Sequence, residues 1–202
     1  MKTKEQITTD EDYELVSLCK NGDVAAFEAL VKKYQKKVFN IAFRMIGNYD
    51  DACEVAQDTF VSAYRSIKKF KGMSKFSTWL HTIAINLSKN RRRQLGTKHY
   101  HEQFSLDDPL VTEDGRIMVE TASEDPTPPE RLEGEDAQQK IQECINKLDD
   151  EFREALILRD IQGFSYEEIS SMLNIAEGTV KSRLFRAREE VKELLKKILG
   201  EF

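Results

Sequence analysis

An all-α fold of two helical units joined by an acidic flexible connector is what this sequence predicts, on three observations. Apolar residues recur at three- and four-residue steps over long runs. Four prolines and nine glycines in 202 residues interrupt those runs little. Between about Gly96 and Glu130 the periodicity fails, and Asp125-Pro126-Thr127-Pro128-Pro129 breaks helix outright. The units are therefore expected at 10–95 and 135–202, with a linker over 96–134.

Each element has its own signal. Leu15, Leu18 and Cys19 form a short stripe that stops at Asn21-Gly22. Asp23 can cap a longer helix in which Phe27, Leu30, Val31, Tyr34, Val38, Ile41, Ala42 and Met45 share a face. Gly47-Asn48 ends it, and Asp50 or Asp51 begins a third helix carrying Val55, Phe60, Ala63, Tyr64 and Ile67. A loop around Gly72 leads to a fourth, from about Ser74 to Leu95, with Trp79, Leu80, Ile83, Ala84 and Leu87 inward. Patterning resumes near Glu135, with Ile141, Cys144, Ile145 and Leu148 on one helix and Phe152, Ala155, Leu156 and Leu158 on the next. Ser165 and Glu168 form a capping box before a third helix that buries Ile169, Met172 and Leu173. The last helix runs from about Gly178 to Leu199 and stops at Gly200.

Composition narrows the function. A net charge of −5 argues against a protein that coats DNA uniformly. Cys19, Cys53 and Cys144 include no CxxC pair, so reduced thiols in a cytoplasmic protein are expected, not a disulfide framework. His99 and His101 lack nearby cysteines and read as a solvated pair, so no metal and no cofactor is expected. No apolar run reaches the roughly 18 residues of a membrane span, and the polar N-terminus carries no targeting pattern. No catalytic carboxylate set is present, which argues against an enzyme. Asp107, Asp108, Glu113, Asp114, Glu120, Glu124 and Asp125 make the linker acidic. It reads equally as a solubilising spacer or as a segment that lies in a channel built for nucleic acid.

The chemistry concentrates at two places. In the stretch SYEEISSMLNIAEGTVKSRLFRAR, Val180, Leu184, Ala187 and Val191 point one way, while Lys181, Ser182, Arg183, Arg186 and Arg188 lie elsewhere on the helix. A basic cluster by itself reads equally as the solvated face of an amphipathic helix; the capped helix and tight turn before it favour a helix-turn-helix, whose second helix enters the major groove. Arginine can bond both acceptors of a guanine edge, lysine and serine suit phosphates, and the short Thr179 and Ser182 allow close approach. The second place is the basic end of the fourth helix, Lys89-Asn90-Arg91-Arg92-Arg93, near Lys68, Lys69, Lys71 and Lys75. Interleaved Phe70, Phe76, Trp79 and Asn86 suit single-stranded DNA, with cations for phosphates and rings for bases. Trp79 reads better as core, whereas Phe70 and Phe76 read equally as core or as stacking platforms. The carboxylates Asp50, Asp51, Glu54 and Asp58 fit either a favourable helix N-terminus or a docking face for a basic partner.

Together these segments resemble a known family. DDACEVAQDTFVSAYRSIKKFKG followed by FSTWLHTIAINLSKNRRR resembles the second conserved region of the sigma-70 family, and LDDEFREALILRDIQGFSYEEISSMLNIAEGTVKSRLFRARE its fourth. With only these two regions the chain is most similar to the extracytoplasmic-function group and its stress-responsive RpoE-like members. The resemblance implies a nonenzymatic sigma factor that binds core RNA polymerase and directs it to promoter DNA, often under the hold of an anti-sigma factor. By family pattern Asp50, Asp51, Glu54, Val55, Gln57, Asp58 and Phe60 would dock on the polymerase clamp. Phe70, Lys71, Ser74, Phe76, Ser77 and Asn86 would engage the melted −10 strand, and Lys89, Arg91, Arg92 and Arg93 its backbone. Thr179, Lys181, Ser182, Arg183, Phe185, Arg186 and Arg188 would read the −35 duplex. Met73 and Lys75 depart from FRGDS-like versions of the loop, which carry a small or acidic residue, and so bear on the preferred −10 sequence. The rival is a free-standing helix-turn-helix regulator, but a receiver domain would alternate strands and helices, and the first half does not.

Overall fold

The computed structural model describes residues 11–103 and 128–199, with side chains over 11–96 and 138–198. Among these the regular elements are all helical. The first unit comprises α1 (Tyr13–Lys20), α2 (Val24–Ile46), α3 (Tyr49–Ser66), a 3-10 turn (Ile67–Lys69) and α4 (Phe76–Gln103). The second comprises α5 (Pro128–Lys147), α6 (Asp150–Leu156), a π turn (Ile157–Ile161), α7 (Tyr166–Leu173) and α8 (Glu177–Leu199).

Helix ends follow local chemistry. Asp23 caps α2 by accepting from the Ala26 amide at 3.0 Å. Gly47 closes it at φ 82°, a left-handed conformation that glycine adopts without strain. α3 starts at Tyr49, just ahead of the expected Asp50 or Asp51, and Asn48 caps it by accepting from the Asp51 amide at 3.0 Å. The two aspartates instead sit in its first turn, favourable against the dipole. α4 runs past the expected Leu95. α5 begins ahead of the expected Glu135, at Pro128-Pro129, because the first turn of a helix has no use for the missing N–H. The acidic residues between Asp107 and Asp125 lie outside the described residues.

In the first unit Leu30, Val38, Ile41, Met45, Ala63, Ile67, Leu80 and Ala84 are buried, as the periodicity requires. Burial of each large aliphatic side chain contributes about 1.5–3 kcal/mol. In α1 the stripe turns slightly from expectation: Val16 and Cys19 are inside and Leu18 is exposed. Asp12, just before α1, is buried and accepts from the Tyr34 hydroxyl and from Lys33 at 2.7 Å, tying α1 to α2.

The two units are closed on each other and share one buried apolar cluster. Phe164, ahead of α7, places its ring 5.1 Å from His81 of α4, and Lys37 of α2 lies over the same ring at 5.3 Å. Arg44 donates to the Gln142 side chain at 3.1 Å, and Gln142 donates back to the Arg44 carbonyl at 3.2 Å. A Cβ on Gly47 would lie 2.5 Å from the Asn146 amide nitrogen, so the turn after α2 leaves just enough room for α5.

Candidate nucleic-acid interface

The C-terminal reader is built from its turn outward. Ser165 accepts from the Glu168 amide at 3.2 Å, and Glu168 accepts from the Ser165 amide at 2.9 Å, which completes the capping box of α7. Asn174 ends α7 at φ 53°, ψ 49°, a conformation asparagine tolerates better than other side chains, and this turn sets the angle at which α8 leaves. Along α8, Val180, Leu184 and Ala187 are buried while Lys181, Ser182, Phe185 and Arg186 face solvent. Phe185 is 69% exposed, an apolar ring of a kind that suits a thymine methyl. Thr179 is half-buried, and its carbonyl accepts from Ser182 at 3.0 Å. The two outer arginines are committed within the unit. Arg183 pairs with Glu151 at 2.6 Å, and Arg188 makes a two-pronged pair with Asp160 at 2.6 and 2.9 Å.

The other surface differs from the sequence reading in which rings are available. Phe76 is fully buried and Phe70 nearly so, their rings packed with Trp79 at 5.7 and 4.9 Å. Neither phenylalanine presents a free face to a base, so as stacking platforms both are corrected: they shape the loop from beneath. Trp79, expected inside, is only partly buried. The loop instead offers exposed Lys71, Met73 and Lys75, with Ser74 and Ser77 partly covered and Asn86 exposed on α4. Met73 is 90% exposed. A groove of about 810 Å³ runs along this loop, walled by Lys20, Lys71 and Lys75 on one side and by Ser165, Glu167 and Glu168 of the other unit.

The basic end of α4 is held by carboxylates. Arg91 pairs with Asp51 at 2.5 Å and Glu54 at 2.9 Å, joining two residue sets that the sequence reading kept apart. Lys89 reaches across to Glu154 at 2.8 Å, and Arg92 to Asp150 at 3.0 Å. Glu154 is 3% exposed; burial pushes its carboxyl up while Lys89 opposes that shift. Arg93 is exposed. On α3, Asp50, Glu54, Gln57 and Asp58 are exposed and available as a docking face. Val55 is not: it is buried with Ala42 and Ala52, and Phe60 is half-covered against the core. Val61 and Tyr64 are exposed on the same helix and widen its apolar surface.

Sequence reasoning missed three residues that organise this region. Arg153, fully buried, donates to the carbonyls of Ile145, Asn146 and Leu148 and so satisfies the C-terminal end of α5. Glu154 and His81 sit at the seam. An arginine and a glutamate inside an apolar helix are a legible warning of buried pairing, but their partners are not. Among the described residues no cluster of His, Cys, Asp or Glu could hold a metal, and no helix is long and apolar enough to cross a membrane. His99 and His101 lie outside the residues whose side chains are described.

Comparison with known proteins matches segments of both units. The family model for sigma-70 region 2 covers residues 30–97, and that for sigma-70 region 4 covers residues 138–191. The chain is 35% identical over 196 residues to the RNA polymerase sigma-H factor of Pseudomonas aeruginosa, covering 96% of this chain and 99% of that one. It is 35% identical over 187 residues to the ECF RNA polymerase sigma-E factor of Escherichia coli K12, covering 93% and 94%. Two solved structures share the fold with TM-score 0.65 and 26% identity: CnrH in complex with the cytosolic domain of CnrY, and the sigma factor RpoE of Bartonella quintana in complex with the anti-sigma factor NepR. The first covers 92% of this chain and 97% of that one, the second 86% and 98%.

Proposed function

The chain belongs to the sigma-70 family, and from that premise we propose how its surfaces divide the work of initiation. It is a sigma factor of the extracytoplasmic-function group, which binds core RNA polymerase and directs promoter-specific transcription. The observation that carries the division of labour is the split circumference of α8. Its apolar face is buried, and Lys181, Ser182, Phe185 and Arg186 are exposed on the rest of its circumference. This helix reads the −35 element as duplex, with Thr179, Arg183 and Arg188 at the margins.

The first unit takes the other two tasks. The exposed carboxylates Asp50, Glu54 and Asp58 and the amide Gln57 face the polymerase clamp, with Asp51 orienting Arg91 behind them. The loop of Lys71, Met73, Ser74 and Lys75 captures the melted −10 strand, and Ser77, Asn86, Lys89, Arg91, Arg92 and Arg93 follow its backbone. The cations neutralise phosphates, while the loop side chains select the extruded base. An anti-sigma factor is a fitting partner, since the sigma factors CnrH and RpoE were solved with CnrY and the anti-sigma factor NepR. A stress response is a fitting setting. The 104–127 segment, acidic and outside the described residues, would thread the polymerase.

In vitro transcription with purified core polymerase tests this reading. Promoter-dependent initiation should require the chain and weaken when Lys71 and Lys75 are neutralised. Tight duplex binding without any initiation would favour a free-standing regulator instead.

A further inference from the structure

Strand capture needs rings as well as cations, because an unstacked base finds its partner on an aromatic face. The loop of Lys71, Met73, Ser74 and Lys75 has the cations, but Phe70 and Phe76 beneath it are buried. An exposed ring lines the same groove from α1. Tyr13 is 58% exposed and lines it together with Val16, Ser17 and Lys20. These four fall at i, i+3, i+4 and i+7, so they make one stripe along the helix. Lys20 is half-buried, and its ammonium lies 5.5 Å from the centroid of the Phe70 ring. A lysine in the last turn of a helix is favourable against the dipole wherever it points. Here the face of Phe70 draws it to the start of the loop. Among the described residues no carboxylate pairs with Lys20, unlike Lys89, Arg91 and Arg92.

We propose that α1 is a second wall of the strand site: Tyr13 supplies the ring on which an unstacked base rests, and Lys20, seated on Phe70, takes a phosphate of the same strand. The inference deepens the strand role given above to the Lys71–Lys75 loop and rests on it. Two turns of helix set the two side chains about 10 Å apart along the axis, so a strand lying along α1 meets both. The exposed Ser17 lies between them, and its hydroxyl can donate to a base edge or accept from one. Stacking and phosphate contact are both tolerant of sequence, so α1 adds affinity while the loop side chains keep the choice of base. The carboxylates that line the groove, Glu167 and Glu168, belong to the C-terminal unit. α1 and the loop both belong to the first unit, so the site they form does not depend on those carboxylates.

The test uses holoenzyme assembled from core polymerase and the full chain, with core alone as the blank. Two fluorescein-labelled probes of roughly twelve nucleotides are titrated by anisotropy: a single strand of random sequence, and the same backbone with every base removed. Tyr13→Ala should weaken binding of the random strand about tenfold and leave the abasic strand unchanged, since stacking needs a base. Tyr13→Phe keeps the ring and should bind as the parent does. Lys20→Gln should weaken both probes and reduce the salt slope by about 0.7, as expected for one phosphate contact on a single strand. Lys20→Arg should restore both affinity and slope. Parent affinity in Tyr13→Ala and Lys20→Gln overturns the proposal, and so does an equal loss on both probes from Tyr13→Ala, which marks a defect of folding. Neutralising Lys71 and Lys75 separates the two readings. If that change weakens binding and the α1 variants do not, the role of α1 alone is refuted. If it too leaves binding untouched, the strand role of the loop fails and takes the role of α1 with it.

Discussion

His81 gives direct access to the energetics of closure. It is 1% exposed, both ring nitrogens lack a hydrogen-bond partner, and Phe164 of the other unit forms one wall. The charged and titratable groups facing it are Tyr34 and Lys37 from α2 and Glu168 from α7. Burial, reinforced by the Lys37 charge and opposed by Glu168, pushes its pKa from the ordinary 6.5 down to about 4. The closed form therefore holds the neutral imidazole, and an opened form exposes a ring that takes up a proton near its ordinary value. The sign follows: closure is fully favoured by this group above pH 6.5, and the contribution is lost progressively as pH falls from 6.5 to about 4. Between pH 7.5 and 5.5 the equilibrium should move toward the open form about tenfold, or about 1.4 kcal/mol, with a ceiling near ~3 kcal/mol at pH 4. Scattering across this range, on the parent and on His81→Leu, measures it. Leucine fills a similar volume and cannot charge, so the variant should lose the extra acid sensitivity. Identical pH profiles for the two proteins would refute the assignment and place the burial of His81 wholly within the first unit.

Three further outcomes are expected from single changes. Ser165→Ala removes the side-chain half of the capping box at α7, leaving the backbone amide of residue 165 on Glu168, and should lower stability by about 0.5–2 kcal/mol in denaturant unfolding, with duplex affinity reduced only in proportion to the unfolded fraction. Leu184→Ala and Phe185→Ala, neighbours on α8, should separate completely. The buried leucine should cost about 2–5 kcal/mol of stability, whereas loss of the exposed phenylalanine should leave stability within about 0.5 kcal/mol and weaken −35 binding. If Arg183 exchanges Glu151 for a two-pronged base contact on binding, Arg183→Ala should cost about 1–3 kcal/mol at the −35 duplex and relax sequence preference at one base pair. An equal loss on every duplex would show that Arg183 meets a phosphate.

The fold class and the helix-turn-helix were legible in the sequence because they rest on neighbours. Asp23, Gly47, Ser165 and Glu168 act within four residues of their partners, and the split of α8 into Val180, Leu184 and Ala187 against Lys181, Phe185 and Arg186 follows from 3.6 residues per turn. The linker edges were less legible. Pro128 and Pro129 break a helix from within but start one equally well, and only the direction of the following chain decides which.

What the tertiary structure alone decided is which of the candidate side chains are free. Phe70 and Phe76 carry the same spacing whether they stack on bases or pack under a loop; their contact with Trp79 put them under it. Val55 joined the core because it packs in one buried cluster with Ala42 and Ala52. Lys89 and Arg92 were plain as cations, but their partners Glu154 and Asp150 lie across the linker, as Gln142 lies 98 residues from Arg44. No periodicity reports on pairs so distant, because the free energy that brings them together is that of the whole seam. The sequence by itself determined where the capped turn and the clusters of cations lie; the closing of one unit on the other determined that Lys89 and Arg92 are each held by a carboxylate of α6.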